Sequence, residues 1–266
     1  MIVQIDDDFD LYKIAVSGQC FRVQQNGSTF GFVTGRHFLN IKHIGNNRYV
    51  ASCSPEEWSI IWTKYFDLRR NYRLLYQQKC NKHHVVNMAM NYGRGLRVLR
   101  QDPWEMLVTF IISQRKKIPS IEKCVNILAF KYGDKLSDGI FSFPSPQSIA
   151  NLTESDLKEC NLGYRAVYVL DAARKVSDGR INLITLENEN NDYLLCTLKS
   201  IYGVGEKVAN CVALFGYGRV DCVPIDVWVK RFIDVDCGGI SPFFLFSDEA
   251  GIIQQYVFYY KKHHSN

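Results

Sequence analysis

The chain has 266 residues, 47% hydrophobic and 22% charged, with a formal net charge of +5 and a pI near 8.6. That length suffices for one large domain or two to three smaller ones with real cores, and the mild positive charge is compatible with nucleic acid without establishing it. No run approaches the ~20 apolar residues of a membrane span, so no membrane partner is expected, and the acidic start MIVQIDDDFD is unlike a signal peptide.

The nine cysteines are scattered, with neither the close pairs of a zinc site nor the compact four of an iron–sulfur cluster. They read as free thiols of a reducing cytoplasm, and no metal site is expected from them.

Residues 17 to 53 read as β-rich. CFRV, STFGFV, HFLNIKHI and NRYVASC are short aromatic and β-branched runs, separated by the turn signals QNG, TGR and GNN. At Ser54 the period changes: SPEEWSIIWTKYF opens with serine, proline and two glutamates, a helix-start signature. Helical patterns then dominate in DPWEMLVTFIIS, SIEKCVNILAFKYG, TESDLKECN, YRAVYVLDAARKV, DYLLCTLKSI, KVANCVALF, DVWVKRFI and SDEAGIIQQYVFYYKK. Strands and helices do not alternate, which disfavours a doubly wound sheet. The expected class is α+β: a small N-terminal antiparallel sheet domain with a flanking helix over 1–80, then a mostly helical body over 81–266.

Within LKSIYGVGEKVANCVALFGYG, the helical pattern breaks at Gly203-Val204-Gly205 and restarts at once. Such a helix-hairpin-helix, at about 195–215, presents backbone N–H groups at a helix start, a site for a DNA phosphate whatever the base sequence. An ordinary helix–helix turn with a glycine C-cap has the same pattern. Lys207 stands in the first turn, where the helix dipole disfavours a cation. A partly desolvated lysine there has its ammonium form destabilised, and a neutral amine is a nucleophile able to form a Schiff base; a phosphate-binding or solvated lysine remains the alternative. Downstream, CVPIDVWVKRF puts Asp226 at a helix N-cap after an extended approach forced by Pro224. A carboxylate there also suits positive charge developing on a sugar.

GVGEKVANC followed by VPID resembles the helix-hairpin-helix DNA glycosylase superfamily. VSGQCFRV (16–23), GLRVLRQDPWEMLVTFIIS (95–113) and LGYRAVYVLDAAR (162–174) resemble the 8-oxoguanine DNA glycosylases within it, and the likeness runs from about residue 5 to about residue 260. The resemblance implies a monomeric, bifunctional glycosylase/AP lyase of base excision repair. Its expected partner is double-stranded DNA containing 8-oxoguanine, in a nucleoid or a nucleus according to source, and it needs no organic cofactor. It implies Lys207 as nucleophile and Asp226 as its electrostatic partner. Gly18 would accept the N7–H that 8-oxoguanine has and guanine lacks. Gln254 would pair with the Watson–Crick edge, Phe258 would stack on the flipped base, and Cys211 would pack against lysine and base. Tyr164 and Arg165 would wedge into the duplex.

Three positions depart from the family. Arg115 stands where many members have asparagine, Ser120 where they have arginine, and Trp228 where they have histidine. The first two face the unpaired base in the family, so relaxed opposite-base selectivity is expected, with Arg115 suited to a phosphate or to that base. An endonuclease III or adenine glycosylase type is disfavoured by the missing four-cysteine cluster and the extra sheet. A non-catalytic DNA-binding module is disfavoured by Lys207 and Asp226 together.

Overall fold

The structure is a computed structural model and describes residues 1–264. Strands β1 (Ile2–Gln4), β2 (Gln24–Asn26), β3 (Thr29–Thr34), β4 (His37–His43) and β5 (Arg48–Ala51) form one antiparallel sheet in the order β1-β5-β4-β3-β2. Phe30, Phe32, Leu39 and Ile41 alternate onto its buried face and pack with Trp62, Tyr65 and Phe66. The turn between β4 and β5 holds Asn46 and Asn47 at φ +50° and +55°, the left-handed pair that a tight hairpin turn requires.

The sheet differs from the sequence expectation at both edges. CFRV (20–23) forms no strand; β2 begins only at Gln24. Cys20, Phe21 and Arg22 are buried, and Arg22 Nε and Nη2 each donate to the Glu105 carboxylate at 2.7 Å. The segment therefore crosses from sheet to body instead of pairing. The fifth strand is β1, whose Ile2 pairs with Val50, and it is followed by a helix Leu11–Val16 capped by Asp10. Neither was expected, because each is shorter than a period can reveal. A small hairpin, Lys135–Ser137 with Ile140–Phe141, is likewise additional.

The helical body is built around two helices buried almost all round, Pro103–Ser113 and Glu206–Tyr217, the signature of central rather than amphipathic helices. Phe110 of the first stacks on Phe215 of the second with centroids 5.5 Å apart. The helix start read at Ser54 holds, with Ser54 capping a helix at Pro55. Two further caps were not marked from the sequence: Asp102 accepts from the Glu105 amide, and Thr153 with Asp156 forms a capping box. SDEAGIIQQYVFYYKK does not form one helix: Ser247, at φ +40°, breaks the chain before the C-terminal helix Ala250–His264.

Arg97 fastens the sheet to the body. Its side chain is fully buried and stacks 4.0 Å from the Tyr72 ring centroid. It donates to the carbonyls of Phe66, Asp8, Asp67 and Arg70 and to the Asp7 carboxylate.

Candidate active site

The hairpin joins helix Asn191–Lys199 to helix Glu206–Tyr217. Gly203 has φ +81°, and a Cβ there would lie 2.4 Å from the Tyr168 ring, so only glycine fits the turn. Val204 is buried and its amide donates to the Ile201 carbonyl at 3.0 Å. Gly205 occupies the N-cap, is exposed, and leaves the first-turn amides without a side-chain cap. Uncapped donors at a helix start are groups that an anion can satisfy.

Lys207 follows directly. Its half-buried Nζ donates to Ser113 Oγ at 3.3 Å and sits 5.0 Å from the Phe110 ring centroid. Ser113 and Phe110 lie three apart on one face of the Pro103–Ser113 helix. Neither was marked from the sequence, although that spacing was the available signal. Asp226 caps the short helix Val227–Arg231, its Oδ1 accepting from the Val229 amide at 2.9 Å. Burial pushes the Asp226 carboxyl above its ordinary value, against the Val229 amide and the Lys207 charge, which pull it down. Burial likewise pushes the Cys211 thiol up, opposed by the charge on Lys207.

Lys207, Cys211 and Asp226 line a cleft of about 860 Å³ together with Gly18, Gln254, Phe258 and Arg115. The cleft thus collects side chains from distant parts of the chain. Gln254 is 3% exposed, and among the described residues its Oε1 has no hydrogen-bond partner. A buried orphan acceptor is costly unless a ligand completes it. Gly18 has φ +81°, and a Cβ there would lie 3.0 Å from Phe258 Cε1 and 3.2 Å from Ile118 Cδ1. We expect Gly18→Ala to damage recognition of a base in the slot more than general DNA binding. Comparing affinity for lesion-containing and undamaged duplex checks this, and equal loss on both would mean the glycine serves folding alone.

Tyr164, Arg165 and Ser120 lie outside the cleft lining. Tyr164 is 50% exposed at the start of helix Arg165–Ser177. Arg165 is buried rather than projecting. Its Nε donates to the Gln114 carbonyl at 2.8 Å, and the guanidinium lies 4.3 Å from the Tyr164 ring centroid. Gln114 ends the Pro103–Ser113 helix, where free carbonyls and the negative dipole end attract a cation. Arg115 is exposed with φ +53°, Ser120 is exposed, and Trp228 lines the cleft.

An amine and a carboxylate beside an aromatic slot, close to a hairpin between two helices, make the arrangement expected of a base-excision DNA glycosylase of the helix-hairpin-helix class. Residues 108–238 match the HhH-GPD superfamily of base excision DNA repair proteins, and residues 2–107 match the 8-oxoguanine DNA glycosylase N-terminal domain. The chain is 32% identical to the 8-oxoguanine glycosylase/lyase of Clostridium acetobutylicum, solved with double-stranded DNA containing cytosine opposite 8-oxoG. The two superpose with a TM-score of 0.91 over 100% of this chain and 99% of that one. MBOgg1, solved with a low-affinity DNA ligand, is 34% identical with a TM-score of 0.94, covering 100% and 96% of the two chains. The N-glycosylase/DNA lyase of Saccharomyces cerevisiae is 34% identical over 158 residues, which are 54% of this chain but only 42% of that protein. The chain belongs to the 8-oxoguanine DNA glycosylase family.

Proposed function

We propose that the protein is a bifunctional glycosylase/AP lyase that removes 8-oxoguanine from duplex DNA in base excision repair. The observation that carries this is the meeting of the Lys207 amine and the Asp226 carboxylate in one cleft with Gly18, Cys211, Gln254 and Phe258. The uncapped amides after Gly205 bind a phosphate, Tyr164 enters the stack, and the damaged nucleotide is turned out into the cleft. Phe258 stacks on the base, and the orphaned Gln254 Oε1 accepts from its Watson–Crick edge.

Lys207 Nζ attacks the sugar C1′ as the bond to the base breaks, and the base departs with the electron pair. Asp226 stabilises the cationic sugar. Substitution leaves an aminal at C1′. An Nζ proton is lost, the C1′–O4′ bond breaks with O4′ taking a proton, and the opened sugar becomes an imine. The imine acidifies the C2′ proton, so that β-elimination expels the 3′ phosphate. Borohydride reduction on a duplex with one 8-oxoguanine tests the proposal: a covalent adduct is expected, and excision without any adduct would replace the lysine route with direct hydrolysis.

The departures at the opposite-base face carry a separate expectation. Cytosine offers N3 and O2 acceptors, which several convergent donors distinguish from adenine. Ser120 is too short to supply the guanidinium that family members place there. The loss of one charge-assisted hydrogen bond removes roughly 1.5–3 kcal/mol of discrimination. We expect removal opposite cytosine and opposite the other bases at broadly comparable rates. Single-turnover excision from duplexes differing only in that base measures it. A hundredfold preference for cytosine would instead make Arg115 the reader.

A further inference from the structure

The turn that carries Gly18 is held by side chains with no part in the chemistry above. Lys262 Nζ donates to the Val16 carbonyl at 2.8 Å, and Gln255 Nε2 donates to the Ser17 carbonyl at 3.1 Å. Beyond Gly18, Gln101 Nε2 donates to the Gln19 carbonyl at 2.8 Å. The Gln19 side chain is itself fixed, donating to Ser17 Oγ and the Arg97 carbonyl and accepting from the Leu99 amide. Gln19, Gln101 and Gln255 are all buried. The carbonyls of residues 16, 17 and 19 are therefore engaged. Among the described residues no donor reaches the Gly18 carbonyl, and Gly18 lines the cleft.

A glycine at φ +81° has no Cβ to restrict its flanking peptides. The direction of its carbonyl must be imposed from outside. Gln255 adjoins Gln254, and Lys262 lies one turn beyond Phe258, all on helix Ala250–His264. The helix that carries the proposed base-holding residues thus also fixes the turn packed against Phe258. A base that differs at one atom by donating rather than accepting is told apart by one acceptor, and only while that acceptor stays aimed.

We infer that Lys262 and Gln255 are positioning residues that aim the Gly18 carbonyl at the N7 edge of the base and so set selection of 8-oxoguanine over guanine; this rests on the function proposed above. The test uses the full chain with Lys262→Met, Gln255→Met and Lys262→Arg. Single-turnover excision from an 8-oxoguanine duplex is compared with cleavage of a preformed abasic site, which has no base to read.

Both methionine variants should lower excision relative to abasic-site cleavage by about tenfold and lose preference for lesion over undamaged duplex. Lys262→Arg, which still donates, should recover most of both. Parallel loss of excision and abasic-site cleavage would make these residues fold anchors and overturn the inference. An unchanged ratio in Lys262→Met would also overturn it, whatever the fate of the more buried Gln255→Met. A parent that cleaves abasic sites but never excises 8-oxoguanine would overturn the proposed substrate, and this inference with it. Parental excision with unaltered variant ratios overturns the inference alone.

Discussion

Lys207→Gln should reduce both excision and borohydride trapping by more than about 10³-fold, the scale on which removal of a covalent nucleophile acts. A carboxamide cannot attack C1′ or form an imine, so the glycosylase and lyase steps are lost together. Duplex affinity should change little, because the hairpin grip consists of backbone amides at Gly205 and the first turn beyond it. The fold should survive as well. Lys207 is half-buried, with one hydrogen bond to Ser113 and one ring contact to Phe110. Gel-shift affinity, single-turnover excision and adduct yield on one lesion duplex check the three statements. An adduct formed at the parental rate would move the nucleophile elsewhere.

Arg97→Met should be the most destabilising change outside the cleft, costing about 3–5 kcal/mol. The substitution keeps much of the stem but leaves four carbonyls and the Asp7 carboxylate without their shared donor. Buried acceptors stripped of a charged partner carry most of that cost. Urea unfolding at neutral pH measures it, and a loss below about 1 kcal/mol would mean that water replaces the guanidinium.

The same pair sets a pH dependence. Burial raises the Asp7 carboxyl, but hydrogen bonds from Arg97 and from the Tyr72, Arg73 and Asp8 amides outweigh it and leave it below its ordinary 3.8. A depressed carboxyl contributes stability above its unfolded value and loses it as pH falls through the lower folded one. The parental contribution from this group should therefore be full above about pH 3.8 and be lost as pH falls below it. In Arg97→Met that opposition is weaker, so Asp7 contributes less acid-sensitive stability, and the stability gap between parent and variant should narrow as pH falls below 3.8.

What the sequence determined by itself was local. Ser54, Asp102, Thr153 and Asp226 each cap a helix because a short oxygen-bearing side chain reaches amides two or three residues ahead, whatever surrounds it. The GVG break and the lysine after it were legible for the same reason, since a hairpin between two helices is specified within a few residues. Gln254 and Phe258 could be assigned to one face from their spacing. Their meeting with Gly18 across most of the chain's length is outside the reach of any period. Tertiary structure also decided the fate of residues 20–23, where the buried Arg22–Glu105 pair outcompetes strand pairing that local propensity favours. It withdrew Arg165 from solvent onto the Gln114 carbonyl, because the free end of a helix from another part of the chain lies beside it. It placed Ser113 and Phe110 against Lys207. Spacing along one helix cannot reveal which neighbour that helix will face; only the packing of the Pro103–Ser113 helix against the hairpin helix fixes it.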